Sequence, residues 1–557
     1  MESKFKIHYK PCSKLDLEVM MSQVEGDDDD IENTYNPFFV HSFQSYNPLY
    51  NVFFEMTDKN YDKITWNHKY SIVDMTSIQD TQTKDDIAKE VFIKHSPLLD
   101  PVKYMVGKYN VDDVKIRTLP HLNSSSEECH HKLVSTNNSS YVDTFFSFLT
   151  SQLLHNHNIE NGIDFYGSFL AIQEKYKMNI TDDFEYLHDS NYFLENLNKH
   201  FSITKHEFLS QFMNNNSRRN RNKLKISNTA LRENVDDCEI GDIDNIEDID
   251  LDSSELEEVY AKQENDDSDY TGTEESDETE EDDDYDEESE QDDNEDEVSD
   301  ESTVELNMEV YAYINNFPVQ MICLEKCDGL FDTLLEEGEL TVDEASAALM
   351  QVIMSLLIYQ KAFCFTHNDL HTNNIMYINT KEEYIYYKYN KKIYRVPTYG
   401  KIFKLIDFGR SIYKFDGKIL CSDSFAPGGD ASTQYNCEPF FNENKPNIEP
   451  NYSFDLCRLG CSIYDFIIDD DEYENMNEFQ QTIYRWCLDD NDMSVLYKKN
   501  GSERYPDFKL YKMIARTVHK HTPQNQLEYP FFSQYDFSQE IDGDKNVMNI
   551  DALPCYS

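Results

Sequence analysis

The stretch FTHNDLHTNNIMY, residues 365–377, decides how the remainder of this sequence is interpreted. His367, Asp369 and Asn374 follow one another in a polar segment that ends in the short apolar run IMYI. A carboxylate such as that of Asp369 can orient an attacking hydroxyl, and the amide oxygen of an Asn can bind Mg²⁺. Since the chain uses Asn throughout, the alternative is an ordinary polar turn, and the flanking sequence has to distinguish the two.

Two flanking segments favour a catalytic loop. Residues 341–363, TVDEASAALMQVIMSLLIYQKAF, predict an amphipathic helix that begins at the capping box of Thr341 and Glu344. After the loop, KIFKLIDFGRSIY (401–413) predicts a buried strand that ends at Asp407, and Gly409 allows a sharp turn beside that carboxylate. The loop and the strand together supply two carboxylates and an amide, which are the groups that phosphoryl transfer requires.

The order of these residues resembles the protein kinase superfamily. His367-Asn368-Asp369-Leu370 with Asn374 is similar to the catalytic loop H-R-D-L-x-x-x-N, and Asp407-Phe408-Gly409 matches D-F-G. In its divergence the sequence looks like the serine/threonine kinases of giant DNA viruses. The resemblance implies a bilobal α+β fold with a β-rich N-lobe and a mainly helical C-lobe. It also implies an ATP-dependent kinase acting on Ser or Thr of a protein substrate, with Asp369 as the base and with Asn374 and Asp407 binding Mg²⁺.

A lysine that contacts the ATP phosphates is the next residue that the resemblance implies. EVFIKHS (90–96) resembles the kinase motif V-A-I-K, which makes Lys94 that lysine. The alternative is an exposed strand lysine, but the preceding residues Phe92 and Ile93 are apolar. The kinase pattern also requires an acid from the adjacent helix, predicted over 141–155, where Asp143 is the only acidic residue.

Two further segments match the family pattern. MICLEKCDG (321–329) looks like the last N-lobe strand and the hinge, so Leu324 would be the gatekeeper, and the backbone of Glu325 and Cys327 would contact adenine. SFDLCRLGCSIYDF (453–466) resembles the kinase helix that carries D-x-x-x-x-G. Asp455 would then hold the catalytic-loop backbone, although an ordinary acid at a helix N-terminus is an equally good interpretation.

Departures from the family pattern keep two other functions open. No Gly lies between Gly26 and Gly107, so the G-x-G-x-x-G phosphate loop is absent, which favours a catalytically weak pseudokinase scaffold. His371 stands where protein kinases often have Lys, and similar Asp-Leu-His patterns in other phosphotransferases suggest a small-molecule kinase. Asn368 replaces the Arg that usually reads an activation-loop phosphate, so we expect no requirement for such phosphorylation.

The chain of 557 residues is too long for one compact core, so two or more domains or lobes are expected. Short strands are predicted between 36 and 115, including LYNVFFEM (49–56), and a basic, Tyr-rich hairpin between 381 and 401. The predicted divisions are a polar tail at 1–35, an N-lobe at 36–230, an acidic disordered insert at 231–303, the last N-lobe strands with the hinge at 304–327, a C-lobe at 328–540 and a tail at 541–557. Within 304–327, two strands are predicted, joined by a turn at Asn315-Asn316.

The charge distribution limits the partners. The formal net charge is −59, and no Lys or Arg lies between Lys262 and Lys326. A uniformly acidic surface would repel nucleic acid and anionic membranes, and although the charge is concentrated in one segment, we expect direct binding to neither. Low hydrophobicity predicts that the acidic insert is disordered, either as a solubilising spacer or, in a second hypothesis, as a docking segment for basic partners. Scattered Cys residues and the lack of a signal-peptide pattern predict an intracellular protein, located in the host cytoplasm or the virion if the source is a virus.

Overall fold

A computed structural model describes residues 3–24, 35–204, 309–468, 476–498, 501–506, 508–539, 541, 543 and 545–557. The predicted acidic insert at 231–303 lies outside the described residues. The predicted mixed α+β character is confirmed, because several antiparallel sheets and a set of helices share one hydrophobic core.

The part before the undescribed segment alternates short strands and short helices around one long helix. In chain order its strands and α-helices are β1 (Tyr9–Pro11), α1 (Leu17–Ser22), β2 (Val40–Gln44), α2 (Tyr50–Phe53), β3 (Ile64–Trp66), β4 (Tyr70–Asp74), β5 (Ser77–Asp80), β6 (Asp86–Ala88), β7 (Val91–Pro97), α3 (Pro101–Met105), α4 (His131–Val134), α5 (Ser139–His157), β8 (Phe165–Asn179), α6 (Phe184–His188), α7 (Asn191–Asn196) and β9 (Phe201–Ile203). The predicted strand at 49–56 is wrong, because α2 occupies its centre.

The part after that segment contains the longest helix and six shorter described helices. In order its strands and α-helices are β10 (Tyr311–Glu325), β11 (Gly329–Leu330), α8 (Phe331–Glu336), α9 (Val342–Phe363), β12 (Ile375–Asn379), β13 (Tyr384–Tyr389), β14 (Lys392–Pro397), β15 (Lys401–Leu405), β16 (Ile412–Phe415), β17 (Lys418–Cys421), α10 (Phe454–Ile467), α11 (Glu478–Trp486), α12 (Lys509–Thr517), α13 (Pro523–Gln526), α14 (Pro530–Ser533), β18 (Asp536–Phe537) and β19 (Val547–Asn549). The predicted Tyr-rich hairpin is present as the antiparallel pair β13–β14.

The largest sheet positions β7, the strand that carries Lys94. It has the antiparallel order β2-β8-β10-β7, with β9 also paired to β10. The prediction of two strands joined at Asn315-Asn316 is wrong, since residues 311–325 form one long strand. Asn316 has a φ of +51°, a left-handed conformation that Asn tolerates, so the strand absorbs a local irregularity without reversing.

Helix α9 forms the centre of the second half. The predicted capping box is present, with the Thr341 hydroxyl accepting from the Glu344 N–H and the Glu344 carboxylate accepting from the Thr341 N–H. The helix is long and apolar enough to cross a membrane by length and composition. Of its most apolar 18-residue window, 83% is buried inside the protein, as in a core helix.

The predicted polar tail at 1–35 and the predicted tail at 541–557 both carry packed residues. Tyr556 is only 3% exposed, and its ring stacks on Phe5 with centroids 4.2 Å apart. Phe363 of α9 and Phe415 of β16 complete the aromatic cluster. The Tyr556 hydroxyl also lies 2.6 Å from Nε2 of His157 at the end of α5. The ends therefore tie α5, α9 and β16 together.

We expect Tyr556→Ala to lower the free energy of unfolding by about 3 kcal/mol, because it removes a buried aromatic ring. Tyr556→Phe keeps the ring and loses only hydrogen bonds, so about 1 kcal/mol is expected. Denaturant unfolding measures both values. Tyr399→Ala, at a side chain that is 47% exposed, is the control and should change little. Equal stability of Tyr556→Ala and Tyr399→Ala would contradict the packed C-terminal segment.

Candidate functional site

Three charged side chains from distant parts of the chain meet beside the large sheet. Lys94 of β7 places its Nζ 2.7 Å from Oδ2 of Asp143 in α5 and 2.9 Å from Oδ1 of Asp407, which follows β15. The other oxygen of Asp143 accepts the Phe408 N–H at 3.0 Å. The structure therefore brings together three of the residues singled out in the sequence, and fixes the backbone after Asp407 to α5.

Local structure explains how α5 holds Asp143 in this position. The N-terminus of α5 is capped by the Asn138 side chain, which accepts the Ser140 N–H at 3.0 Å. Asp423, from the segment after β17, accepts the Ser139 N–H at 3.1 Å and pairs with Lys132 at 3.3 Å. A carboxylate at a helix N-terminus is stabilised by the unpaired N–H groups there. Asp423 therefore ties the segment after β17 to α5.

The electrostatics of this trio follow from burial and mutual charge. Burial alone would lower the pKa of Lys94, but Asp143 and Asp407 outweigh it and raise that pKa above its usual 10.5. Burial would raise the pKa of Asp407, yet Lys94 holds it below its usual value. The pKa of Asp143 is raised, mainly by burial and further by Asp407. Asp407 is the most open of the three, with 40% of its side chain exposed.

The loop at 365–377 is anchored through its backbone. The carboxylate of Asp455, in the first turn of α10, accepts the N–H groups of His367 and Asn368, both at 2.9 Å. Of the two interpretations left open for Asp455, the contact with the loop is the one observed. The side chain is fully buried, which raises its pKa. Asn368 has a φ of +64°, so the loop bends sharply just before Asp369.

Asp369 lies in an almost closed environment, 8% exposed. Its Oδ1 accepts the hydroxyl of Tyr511, from α12, at 2.8 Å. Burial would raise its pKa, but Arg410, His371 and Arg458 together hold it below the usual 3.8. Since burial lowers the pKa of His371 to about 4, the two arginines are the cations that act at neutral pH. Asp369 is therefore ionised near neutrality.

Asn374 is fixed by its amide nitrogen. Nδ2 donates to the backbone oxygen of Asp369 at 2.8 Å and lies 3.0 Å from Nε2 of His371. No described residue donates to its Oδ1, so this oxygen is left for another partner. His371 thus orients a loop amide, which gives it a structural role within the loop.

The three residues assigned to adenine contacts differ in their surroundings. Leu324 is buried in β10, opposite Phe92 of β7. The N–H of Glu325 already donates to the Asp164 carbonyl at 3.0 Å, and its side chain is buried in an ion pair with Lys404. Cys327 is a partly buried free thiol just beyond the strand. Its N–H has no hydrogen bond to the described part of the chain.

Sequence reasoning missed several residues at this site. Lys404 is 2% exposed, pairs with Glu325 and donates to the Gly162 carbonyl at 2.7 Å. A lysine inside the apolar run KIFKLI was the available signal. Tyr511 and Arg458 had no local signal, because their contacts with the loop are purely tertiary. Within the described ranges, no group of three or more His, Cys, Asp or Glu side chains is arranged to hold a metal ion on its own.

Comparison with known proteins finds similarity to one viral protein over part of the chain. No protein-family model matches the chain. Among curated proteins it is similar to "Uncharacterized protein 098R" of Invertebrate iridescent virus 6, at 24% identity over 202 residues. The aligned region covers 34% of this chain and 30% of that protein, so the chain matches less than a third of its relative. The similarity points to a viral origin, and the printed name assigns no activity.

The buried Lys404–Glu325 ion pair at the end of β10 can be tested by its contribution to stability. Lys404→Met leaves the Glu325 carboxylate buried beside only the more distant Lys89, at 3.4 Å, so a loss of about 3–5 kcal/mol in unfolding free energy is expected. The double variant Lys404→Met with Glu325→Gln should recover most of it.

Lys392→Met is the control, because it breaks an exposed pair with Asp536 at 2.9 Å and should cost under about 1 kcal/mol. Similar losses for Lys404→Met and Lys392→Met would contradict a buried pair.

Proposed function

We propose that this protein is an ATP-dependent phosphotransferase, acting on serine or threonine hydroxyls of a protein substrate. One observation carries the proposal: Lys94 is held between Asp143 and Asp407, while the loop of Asp369 and Asn374 is anchored by Asp455. Phosphoryl transfer depends on positioning and charge stabilisation more than on covalent chemistry. A lysine, two carboxylates and an amide on rigid supports meet that requirement.

The side chains present fit a Mg²⁺ ion bound together with nucleotide phosphates. Oδ1 of Asn374 receives no hydrogen bond from any described residue, and Asp407 engages Lys94 through one oxygen while its side chain stays 40% exposed. Carboxylate and amide oxygens are the ligands that Mg²⁺ prefers, with phosphates and water completing its shell. When bound, the ion would neutralise charge on the phosphates. Lys94 would lie on the side of the α and β phosphates.

Asp369 has the properties of the base that accepts the proton of the attacking hydroxyl. It is ionised at neutral pH, and one oxygen, Oδ2, receives no donor within the described ranges. A base must come within about 2.6–3.2 Å of the proton it takes. The free oxygen is the atom that can do so.

The fold is consistent with the bilobal arrangement that this function implies. In the proposal the sheet β2-β8-β10-β7 and α5 form the N-lobe, and α9 to α14 form most of the C-lobe. The chain between them passes through Glu325 and Cys327. The Cys327 N–H has no hydrogen bond to the described residues and is available to adenine. The Glu325 N–H is not available, so contact at that residue would use its carbonyl.

A catalytically weak scaffold is the second candidate. The observation in its favour is the direct ion pair of Lys94 with Asp407, in which the residue for phosphate and the residue for metal neutralise each other. The missing Gly-rich loop points the same way. In this alternative the protein binds partners and turns over little ATP.

A phosphate-transfer assay tests the proposal. It measures the transfer of radiolabelled phosphate from ATP to the protein itself and to a general protein substrate such as casein. Asp369→Asn should reduce transfer about 10²–10⁴-fold, because the amide cannot accept the proton. Asp489→Asn is the matched control. Asp489 is buried like Asp369, but it lies on another loop, where its carboxylate accepts backbone N–H groups. Equal transfer by unmodified protein and Asp369→Asn would overturn the proposal, and no transfer by either would favour the scaffold.

The groups proposed for nucleotide binding give a further prediction. Asp407→Ala should reduce the transfer rate by roughly a thousandfold or more, because charge stabilisation at the phosphates is lost. Lys94→Met should also lose ATP turnover, and turnover is compared only on protein shown to be folded, because the substitution leaves the Asp143 carboxylate buried without its cation. Lys103→Met, at a lysine paired with Asp430, is the control. Normal turnover by Lys94→Met and loss in Lys103→Met would show that Lys94 is the wrong lysine.

A further inference from the structure

A chain of two buried hydrogen bonds ends on the carboxylate of Asp369. Nε of Arg458, in α10, donates to the Tyr511 hydroxyl at 3.0 Å. That hydroxyl donates in turn to Oδ1 of Asp369 at 2.8 Å. Three segments far apart in sequence therefore converge on one oxygen atom, and neither Arg458 nor Tyr511 has a part in the function proposed above.

The side chains in this chain are rigidly held. Tyr511 and Arg458 are each only 1% exposed. Tyr511 lies on the buried face of α12 with Leu510 and Ile514, and its ring stacks on Phe508 at 5.4 Å between centroids. A buried hydroxyl that both donates and accepts fixes its donor direction, because its single proton has one acceptor.

We propose that Tyr511 is a positioning residue for Asp369, holding Oδ1 so that Oδ2 faces the hydroxyl that attacks the phosphate. The inference rests on the proposed phosphotransferase function. A base whose carboxylate could rotate would present either oxygen, and loss of orientation by a fraction of an ångström slows such reactions strongly. Arg458 fixes the Tyr511 hydroxyl and keeps a positive charge near the carboxylate.

The same contact could have the opposite role. The Tyr511 hydroxyl would then occupy the place of the substrate hydroxyl and block substrate binding. The burial of α12 argues against this, because a blocking residue must leave, and Tyr511 is part of the core beneath the loop. The two roles predict opposite effects when the hydroxyl is removed.

The test is steady-state kinetics of Tyr511→Phe in the full chain, with ATP and casein. We expect kcat to fall about 10- to 100-fold, while KM for ATP changes less than about twofold. The low-pH limb of kcat should also move to higher pH, since loss of a hydrogen bond to the ionised form raises the pKa of Asp369. The other titratable groups that face Asp369 are Arg410, His371, Arg458 and Asp455, and the substitution changes none of them.

Tyr387→Phe is the matched control, because its buried hydroxyl donates to Oδ1 of Asn161 at 2.7 Å in a different part of the core. It should lose similar stability and keep its kcat and pH profile. If Tyr511→Phe does not fold, Arg458→Lys, which keeps a donor for Tyr511, should retain more activity than Arg458→Met.

Three results would overturn the inference. A higher kcat in Tyr511→Phe would show that the hydroxyl blocks the site, and an unchanged kcat would show that it has no role. An unmodified protein that transfers no phosphate would remove the proposed function itself and this inference with it, and that result is distinct from an active protein in which Tyr511→Phe has no effect.

Discussion

Lys94 is the charge around which the site is built. An ammonium group in a mostly enclosed position requires opposite charge, and here it receives two carboxylates, from α5 and from the turn after β15. Asp143 depends on the lysine in turn, since an isolated buried carboxylate would lose its charge. At Asp455, likewise, one buried charged group holds two partners, because its carboxylate accepts two loop N–H groups. Segments that are distant in sequence are therefore held by a small number of mutually dependent charges.

The long, locally specified elements could be predicted from the sequence. The capping box and the apolar period predict helix α9, and the alternation of residue types around a two-residue turn predicts the β13–β14 hairpin. Residues 311–325 could not be read correctly, because Asn315-Asn316 has the composition of a turn, and only pairing with β8 extends the strand through it. The chain ends were missed for a different reason. Phe5 and Tyr556 are single aromatic residues in short irregular segments, and no period marks them as core.

The candidate site divides in a similar way. The sequence points to five residues of the candidate site. Four of them stand in short motifs: Lys94, Asp369, Asn374 and Asp407. The fifth, Asp143, is the only acidic residue on a predicted helix. Tyr511 is 142 residues from Asp369, and nothing around it in the sequence distinguishes it from the many other tyrosines. Its contact arises from how α12 packs against the loop. Such tertiary contacts become visible only when the fold is known.

The pairing of β8 with β10 has a consequence for the order of folding. These two strands form the longest register in the largest sheet, from Phe165 with Leu324 to Asn179 with Tyr311, yet residues 180–310 lie between them in sequence. The entropic cost of closing such a long connection grows slowly, by about 0.6 kcal/mol for each doubling of its length, so the native state tolerates it. The rate of folding is more sensitive, because non-local strand pairing must pay that entropy before it gains contacts. We therefore expect local elements such as α9 and the β13–β14 hairpin to form early, and β7, which carries Lys94, to pair only after β10 is in place.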